Sequence, residues 1–411
     1  MLAIDFGARS IKAVKLSKTG NGYHLDNFGI VLTPPGSILY GEIKDVDSVS
    51  QALNKMLRKK GISDKGNIIA ITGQKVIVRE ITTPLMSEKE LAEGIQWEAP
   101  KYVPYDLKES LLDAKKIEEL EEKEGTKMMK VLLVAAPRSL VDQQIEVLRN
   151  VRIQPRVVDI VANAQIRAFE SYLTPTSGED DRTMIDIILS MGASTTEITL
   201  LEGDRLKFTR TILKGGNDVT ELIVKKLNIP FQEAELLKRR IGLSLPEEEK
   251  KEIKIAKETE EEQENIEETE IQVPLNQAGE EQDSTPNTPN EIDEFTEFTE
   301  AAEESASIPD EVEIADLIHT GVKDIFNEIR KSLNYFKTQY QKVNYQSIIL
   351  CGGMAQLPNM GQILKKQFGI TVVIANPLKG ISINERDVNI EQLDKYKSAL
   401  ATAIGLAKRE R

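Results

Sequence analysis

The sequence predicts an α/β protein of two lobes, and three observations carry that prediction. Strand-like and helix-like segments alternate along most of the chain. Two strand–glycine–strand hairpins recur in separate halves, one around Gly7 and one around Gly192. A single acidic stretch interrupts the pattern without joining it. The 411 residues exceed the needs of one ordinary domain and can bury a core without a disulfide or metal staple.

The elements follow in order. MLAIDFGARSIKAVKLSKTGNGYHLDNFGIVL reads as a strand, a glycine turn, a second strand, a turn at Gly20–Gly22 and a third strand. Residues 47–60 have helical spacing at Val49, Leu53 and Leu57. Residues 67–73 and 75–84 read as two strands joined by a tight Gly73-Gln74 turn. From Ser87 a helix begins, with Glu90 three residues on as the partner of a capping box. A strand at 130–137, a helix, and a strand at 155–160 follow, so 85–158 reads as a small α/β unit inserted into the first lobe. Trp97 is expected to pack the helix of that unit. Residues 174–182 form a polar linker. Strands at 184–192, 194–204 and 205–213 open the second lobe, followed by a helix capped by Asn217 and another at 231–242. Leu317, Val322, Ile325, Ile329 and Leu333 form the apolar stripe of a long helix over 315–341. A strand ending in Gly352-Gly353 and a helix over 391–409 close the chain. The predicted division is 1–84, 159–180 and 391–411 for lobe I, and 183–245 with 314–390 for lobe II.

Charge is unevenly distributed. The whole chain carries −14, but residues 246–313 hold 25 Asp/Glu against 4 Lys, leaving +7 for the rest. Phe295 and Phe298 are the only aromatics in that segment, so it cannot repay the cost of ordering and is expected to be a disordered insertion. The basic remainder has no Arg/Lys stripe interleaved with aromatics, which argues against a nucleic-acid partner. The single Cys351 excludes a disulfide framework and Cys-rich metal sites, and Cys351 itself reads as a small buried hydrophobe. His24 and His319 are the only histidines and lack motif-like neighbours. No apolar run is long enough to span a bilayer, so the expectation is a soluble cytoplasmic protein.

The two hairpins carry the chemistry. The first runs Asp5-Phe6-Gly7-Ala8-Arg9-Ser10-Ile11-Lys12, the second Ser190-Met191-Gly192-Ala193-Ser194-Thr195-Thr196. A strand ending beside a glycine turn suits a polyphosphate. Glycine lets backbone N–H groups approach, hydroxyls donate hydrogen bonds, and a lysine supplies charge. Gly215-Gly216 precedes a helix N-terminus, an arrangement suited to an anion, and Gly352-Gly353-Met354 ends a strand in a loop able to receive an adenine.

Together these elements resemble the actin, heat-shock chaperone and sugar-kinase ATPase superfamily. Asp5, Gly7 and Lys12 match its first phosphate loop, the hairpin from Ser190 its second, residues 350–354 its adenosine motif, and Glu235 with Lys238 its nucleoside-bracketing helix. Within the superfamily the chain resembles the PilM family of type IV pilus assembly. The resemblance rests on IQWEAPKYVPYD (95–106), VLLVAAPRSLVDQQIEVLRN (131–150), KGGNDVTELI (214–223), EIRKSLNYFKTQY (328–340), IILCGGMAQLPNM (348–360) and AIGLAKR (403–409). The small unit is similar to the subdomain shared with the division protein FtsA, whose membrane-binding terminal helix is not matched at AIGLAKRER.

The resemblance implies a two-lobe actin-like ATPase fold that binds ATP and Mg²⁺, with Asp5 holding the metal through water. It also implies a cytoplasmic scaffold, peripheral to the inner membrane, that serves pilus assembly and twitching motility. Its partners would be the tail of a PilN-like membrane protein and the pilus motor ATPases, and a homo-oligomer is compatible with the role. An FtsA-like filament former and a sugar kinase are the alternatives. Ser190 stands where the family's second loop begins with Asp, which implies weak or absent hydrolysis. Asp186, four residues back, is too distant to substitute. Asn163 falls near the place of a water-orienting amide.

Overall fold

In the computed structural model residues 1–20, 22–63, 67–123, 126–175, 183–244, 310–340, 342–384 and 388–409 are described. The chain opens with β1 (Leu2–Phe6), β2 (Ser10–Thr19) and β3 (Gly22–Leu32), an antiparallel meander, and then a two-stranded ribbon of β4 (Ile38–Leu39) and β5 (Glu42–Ile43). Helix α1 (Val46–Lys59) leads to β6 (Asn67–Ile71), parallel to β1. Strand β1 is apolar on both faces because both are covered. Leu2 and Ile4 pack with Val49 and Leu53 of α1, while Ala3 joins the opposite core.

The chain then leaves this sheet. β7 (Ile77–Pro84), α2 (Glu88–Glu98), β8 (Ser110–Lys123) and β9 (Thr126–Pro137) build a three-stranded sheet of order β7-β9-β8. The predicted Gly73-Gln74 turn therefore joins strands of different sheets and makes no hairpin. The pairing also moves the expected borders of the small unit. β7 pairs with β9 inside it. In contrast, α3 (Arg138–Asn150) places Val147 and Leu148 in the core of α1, and β10 (Pro155–Ile160) pairs with β6. The unit spans 77–137, not 85–158; a change in sequence character at Ser87 marks a helix start inside it. Ser87 and Glu90 form the expected capping box. Trp97 is 78% exposed and does not pack α2, whose buried positions are Leu91 and Ile95.

After α4 (Val161–Phe169), lobe II repeats the plan of lobe I. β11 (Thr183–Met191), β12 (Thr196–Glu202) and β13 (Arg205–Ile212) form a meander, followed by α5 (Gly216–Leu227) and α6 (Phe231–Ile241). Then come α7 (Glu311–Gln339), β14 (Val343–Cys351), α8 (Met360–Phe368) and β15 (Thr371–Ile374). The sheet order β13-β12-β11-β14-β15 matches β3-β2-β1-β6-β10 of lobe I, with the same parallel and antiparallel senses. β16 (Ile381–Ile383) pairs with β3, so this part of 314–390 lies in the lobe I sheet, contrary to the predicted division.

The predicted closing helix is broken into α9 (Ile390–Tyr396), a short 3₁₀ turn and α10 (Ala401–Ala407), which packs on α4. The acidic insertion expected over 246–313 lies outside the described residues except at its end: Asp310 caps α7, and 311–313 are helical. The proposed linker of 174–182 likewise falls outside them beyond residue 175.

Candidate functional site

The two hairpins meet at one cleft between the lobes, about 1310 Å³ of empty space including its open mouth. It lies at the carboxyl ends of β1 and β11, where open α/β sheets receive ligands. The Gly7 N–H donates to Ser10 O at 3.2 Å and the Gly192 N–H to Thr195 O at 2.8 Å, closing two turns of like construction. A Cβ on Gly7 would stand 2.7 Å from Lys12 Nζ and 2.8 Å from Ser10 O, so glycine is required there. Gly352, at φ +89°, packs against Met191 of the second hairpin, where a Cβ would meet the carbonyl oxygen at 2.5 Å. Asp5, Gly7, Ala8, Ser10, Lys12, Ser190, Gly192, Ser194, Thr195, Gly216, Glu235, Lys238, Gly352, Gly353 and Met354 all line the cleft.

Two predicted residues do not. Thr196 is fully buried and donates its hydroxyl to Lys214 O at 2.9 Å. Gly215 is placed against the second hairpin, where a Cβ would meet Ala193 O at 2.6 Å. The α5 N-terminus is also not the free anion site expected. Gly215 N–H donates to the Asp218 carboxylate, Gly216 N–H to Gly192 O and Asn217 N–H to Ala193 O. These bonds splice the helix onto the hairpin, with Gly215 as the N-cap in place of Asn217.

The charges are arranged in pairs. Lys12 Nζ donates to Asp5 at 2.9 Å. Lys238, 3% exposed, donates to Gly216 O, Thr220 Oγ1 and Glu235, and Arg239 Nε donates to Glu235 at 2.8 Å. Glu235 and Lys238 thus fasten α6 to α5 as well as lining the cleft. Burial works to raise Glu235, but Lys238 and Arg239 outweigh it and hold the carboxyl down at about 2.

Sequence reasoning missed Glu197. It lies at the back of the cleft and accepts a hydrogen bond from Thr72 across the lobe boundary at 3.2 Å. Burial, with the charge of Asp5 nearby, pushes it up to about 7. Its one sequence signal is a glutamate immediately before ITLL (198–201) in the predicted 194–204 strand. Arg9, Thr72, Gln165 and Arg239 also line the cleft and were not foreseen. Gln165, 1% exposed with an unpartnered Oε1, occupies the wall for which Asn163 was considered. Asn163 instead donates to Asp159. Asp186 accepts from Thr174 N–H and the Ser347 hydroxyl, both at 2.7 Å, away from the cleft. Burial pushes the Cys351 thiol up to about 12, consistent with a packing role.

Two lobes on one strand order, each presenting a glycine hairpin to a shared cleft, define an actin-like ATPase fold. The chain belongs to the family of the type IV pilus assembly protein PilM, whose model matches residues 3–257, more than half of its length. Residues 187–405 also match the model of the cell division protein FtsA. A solved PilM–PilN type IV pilus biogenesis complex contains a similar chain, with TM-score 0.73 and 24% identity over 99% of this chain and 97% of that one. Among curated proteins, FtsA of Enterococcus hirae is 21% identical over 423 residues, covering 99% of this chain and 85% of the relative. FtsA of Streptococcus pneumoniae is 22% identical, covering 98% and 81%.

Proposed function

We propose that this chain is a nucleotide-binding scaffold of the type IV pilus inner-membrane platform that docks the cytoplasmic tail of a PilN-like membrane protein. The observation that carries the reading is the PilM family match over residues 3–257, which spans the first hairpin, the small unit and the second hairpin. No helix among the described residues is long and apolar enough to cross a membrane, so the partner's tail would hold the protein there.

The cleft would take ATP. Asp5 of lobe I and Glu197 and Ser190 of lobe II all line the cleft, a donor set that suits Mg²⁺, which binds through one or two carboxylates, phosphate oxygens and water. When bound, the ion would shield phosphate charge. Lys12 would contribute charge, and the Gly7 and Gly192 turns close backbone approach. With Ser190 in place of a carboxylate, hydrolysis is expected to be slow, and Ser190→Asp is expected to raise turnover. Equal, brisk turnover in both proteins would show that Ser190 is no handicap.

The docking test is calorimetric titration of the PilN-like tail into the full chain, with membrane fractions assayed with and without the partner. Binding of the tail and partner-dependent membrane recovery are expected; neither occurring would overturn the scaffold reading. The FtsA match over 187–405 favours one second reading, a filament former, which nucleotide-dependent polymers in electron micrographs would support.

A further inference from the structure

The cleft's charges do not balance. Asp5 is paired with Lys12, Glu235 is shared by Lys238 and Arg239, and Glu197, which forms no ion pair among the described residues, accepts from the Thr72 hydroxyl. Arg9 is left over. It stands between Ala8 and Ser10 in the first hairpin and lines the cleft, and its Nε is buried without a hydrogen-bond partner. Among the described residues its guanidinium forms no ion pair. Burial lowers its pKa, while the charge of Glu235 opposes that. Glu235 and Arg239 of α6 in lobe II and Tyr396 of α9 line the same cleft as Arg9 of the lobe I hairpin. Its root is fixed: Thr33 N–H donates to Arg9 O at 3.1 Å, and the Thr33 hydroxyl to Gly7 O at 2.6 Å.

A half-buried cation whose Nε is shut off from solvent without an acceptor is costly, and guanidinium presents a planar fork matched to phosphate oxygens. We propose that Arg9 reads the phosphates of a nucleotide in this cleft, taking phosphate oxygens bidentately and supplying a cross-lobe clasp. The inference rests on the nucleotide-binding reading above. It favours phosphate over nucleobase because the uncompensated charge at Arg9 is positive and belongs to the hairpin that Asp5 and Lys12 frame. Arg9 would thereby favour nucleoside polyphosphates over nucleosides.

The test is calorimetry on the full chain, wild type against Arg9→Gln and Arg9→Lys, with ATP, ADP, AMP and adenosine. Arg9→Gln should weaken ATP and ADP by about tenfold or more, as for a lost charge-assisted contact, and leave adenosine unchanged. Arg9→Lys should fall between, keeping charge but losing the fork. Ligand-free Arg9→Gln should melt no lower than wild type, because the guanidinium has no partner to lose. Wild-type ATP affinity in Arg9→Gln would remove Arg9 and leave the nucleotide reading intact. An equal loss for all four ligands, or a lowered melting temperature, would make it a nucleoside contact or a structural residue and overturn the assignment. Wild type binding none of the four would overturn both.

Discussion

Glu197 and Glu235 line one cleft and are driven in opposite directions, so their pH dependences oppose each other. Glu235 sits at about 2, below its ordinary 4.5. Its stabilisation is therefore present above pH 4.5 and lost as pH falls toward 2, with an upper bound of ~3 kcal/mol. Glu235→Gln should destabilise the fold near neutrality by about 3 kcal/mol, since it leaves Lys238 buried without its counter-charge. In denaturant titrations that deficit should shrink below pH 4.5; a constant deficit would mean that shape, not charge, is at stake. Glu197 sits at about 7, above its ordinary 4.5, so the folded state holds its proton longer than the unfolded chain. Stability then falls as pH rises from 4.5 through 7. Glu197→Gln should equal wild type below pH 4.5 and exceed it above pH 7 by up to ~3 kcal/mol; no pH-dependent gap between the two would show that Glu197 titrates normally. Asp5, Gly7 and Lys12 were legible because a hairpin fixes their relation within eight residues of chain. Gln165 was not, because α4 meets the cleft only through packing of elements distant in sequence; Glu197 and Arg239 adjoin Thr196 and Lys238, but nothing local in the strand or helix pattern says that Glu197 and Arg239 face the cleft.

At the scale of elements, the meanders, α1, α2 and α7 were legible because each signals itself through periodicity or a cap. The borders of the small unit were not, because β7 and β10 are assigned by the strand each pairs with, and pairing leaves no local mark. Helix α10 shows how an element positions the site. It is buried throughout, and its crossing with α4 is so close that a Cβ on Gly405 would stand only 2.5 Å from Ala164 C and still nearer its oxygen. Both helices line the cleft, through Val161 and Gln165 on one and Ala401 and Thr402 on the other. Gly405→Ala must push the pair apart, costing about 1–3 kcal/mol or more and weakening nucleotide binding together with stability. Unchanged melting and unchanged affinity would show that the crossing yields easily. Ser87→Ala, which removes the capping box of α2, should cost about 1 kcal/mol without touching the cleft; a change in ATP affinity would reveal coupling from the small unit to the site.

The whole molecule is held by contacts that cross its parts. Glu80 of the small unit meets Lys207 of lobe II at 3.4 Å, and Glu118 meets Arg205 at 2.9 Å, beside the Thr72–Glu197 bond at the cleft. The acidic segment is not needed for any of them. On one side of it, Leu243 is anchored by its N–H to Pro358 O and by Asn359 Nδ2 to its carbonyl, and His319 meets Ser244 O at 2.9 Å. On the other side Asp310 caps α7, whose Ile314 and Ile318 are fully buried in the lobe II core. Both flanks thus have their own fixings, and composition gives the intervening chain little apolar surface to bury. Removing 246–308 and joining the flanks with a short flexible linker should leave the melting temperature within a few degrees, because loop-closure cost grows only slowly with length. The cut must spare Asp310; extending it to 313 should destabilise α7 by removing a cap worth about 1 kcal/mol and the acidic first turn that favours the helix dipole. Calorimetric unfolding of the two deletions decides the matter: a much lower, still cooperative transition for the shorter deletion would mean that the segment packs on the body.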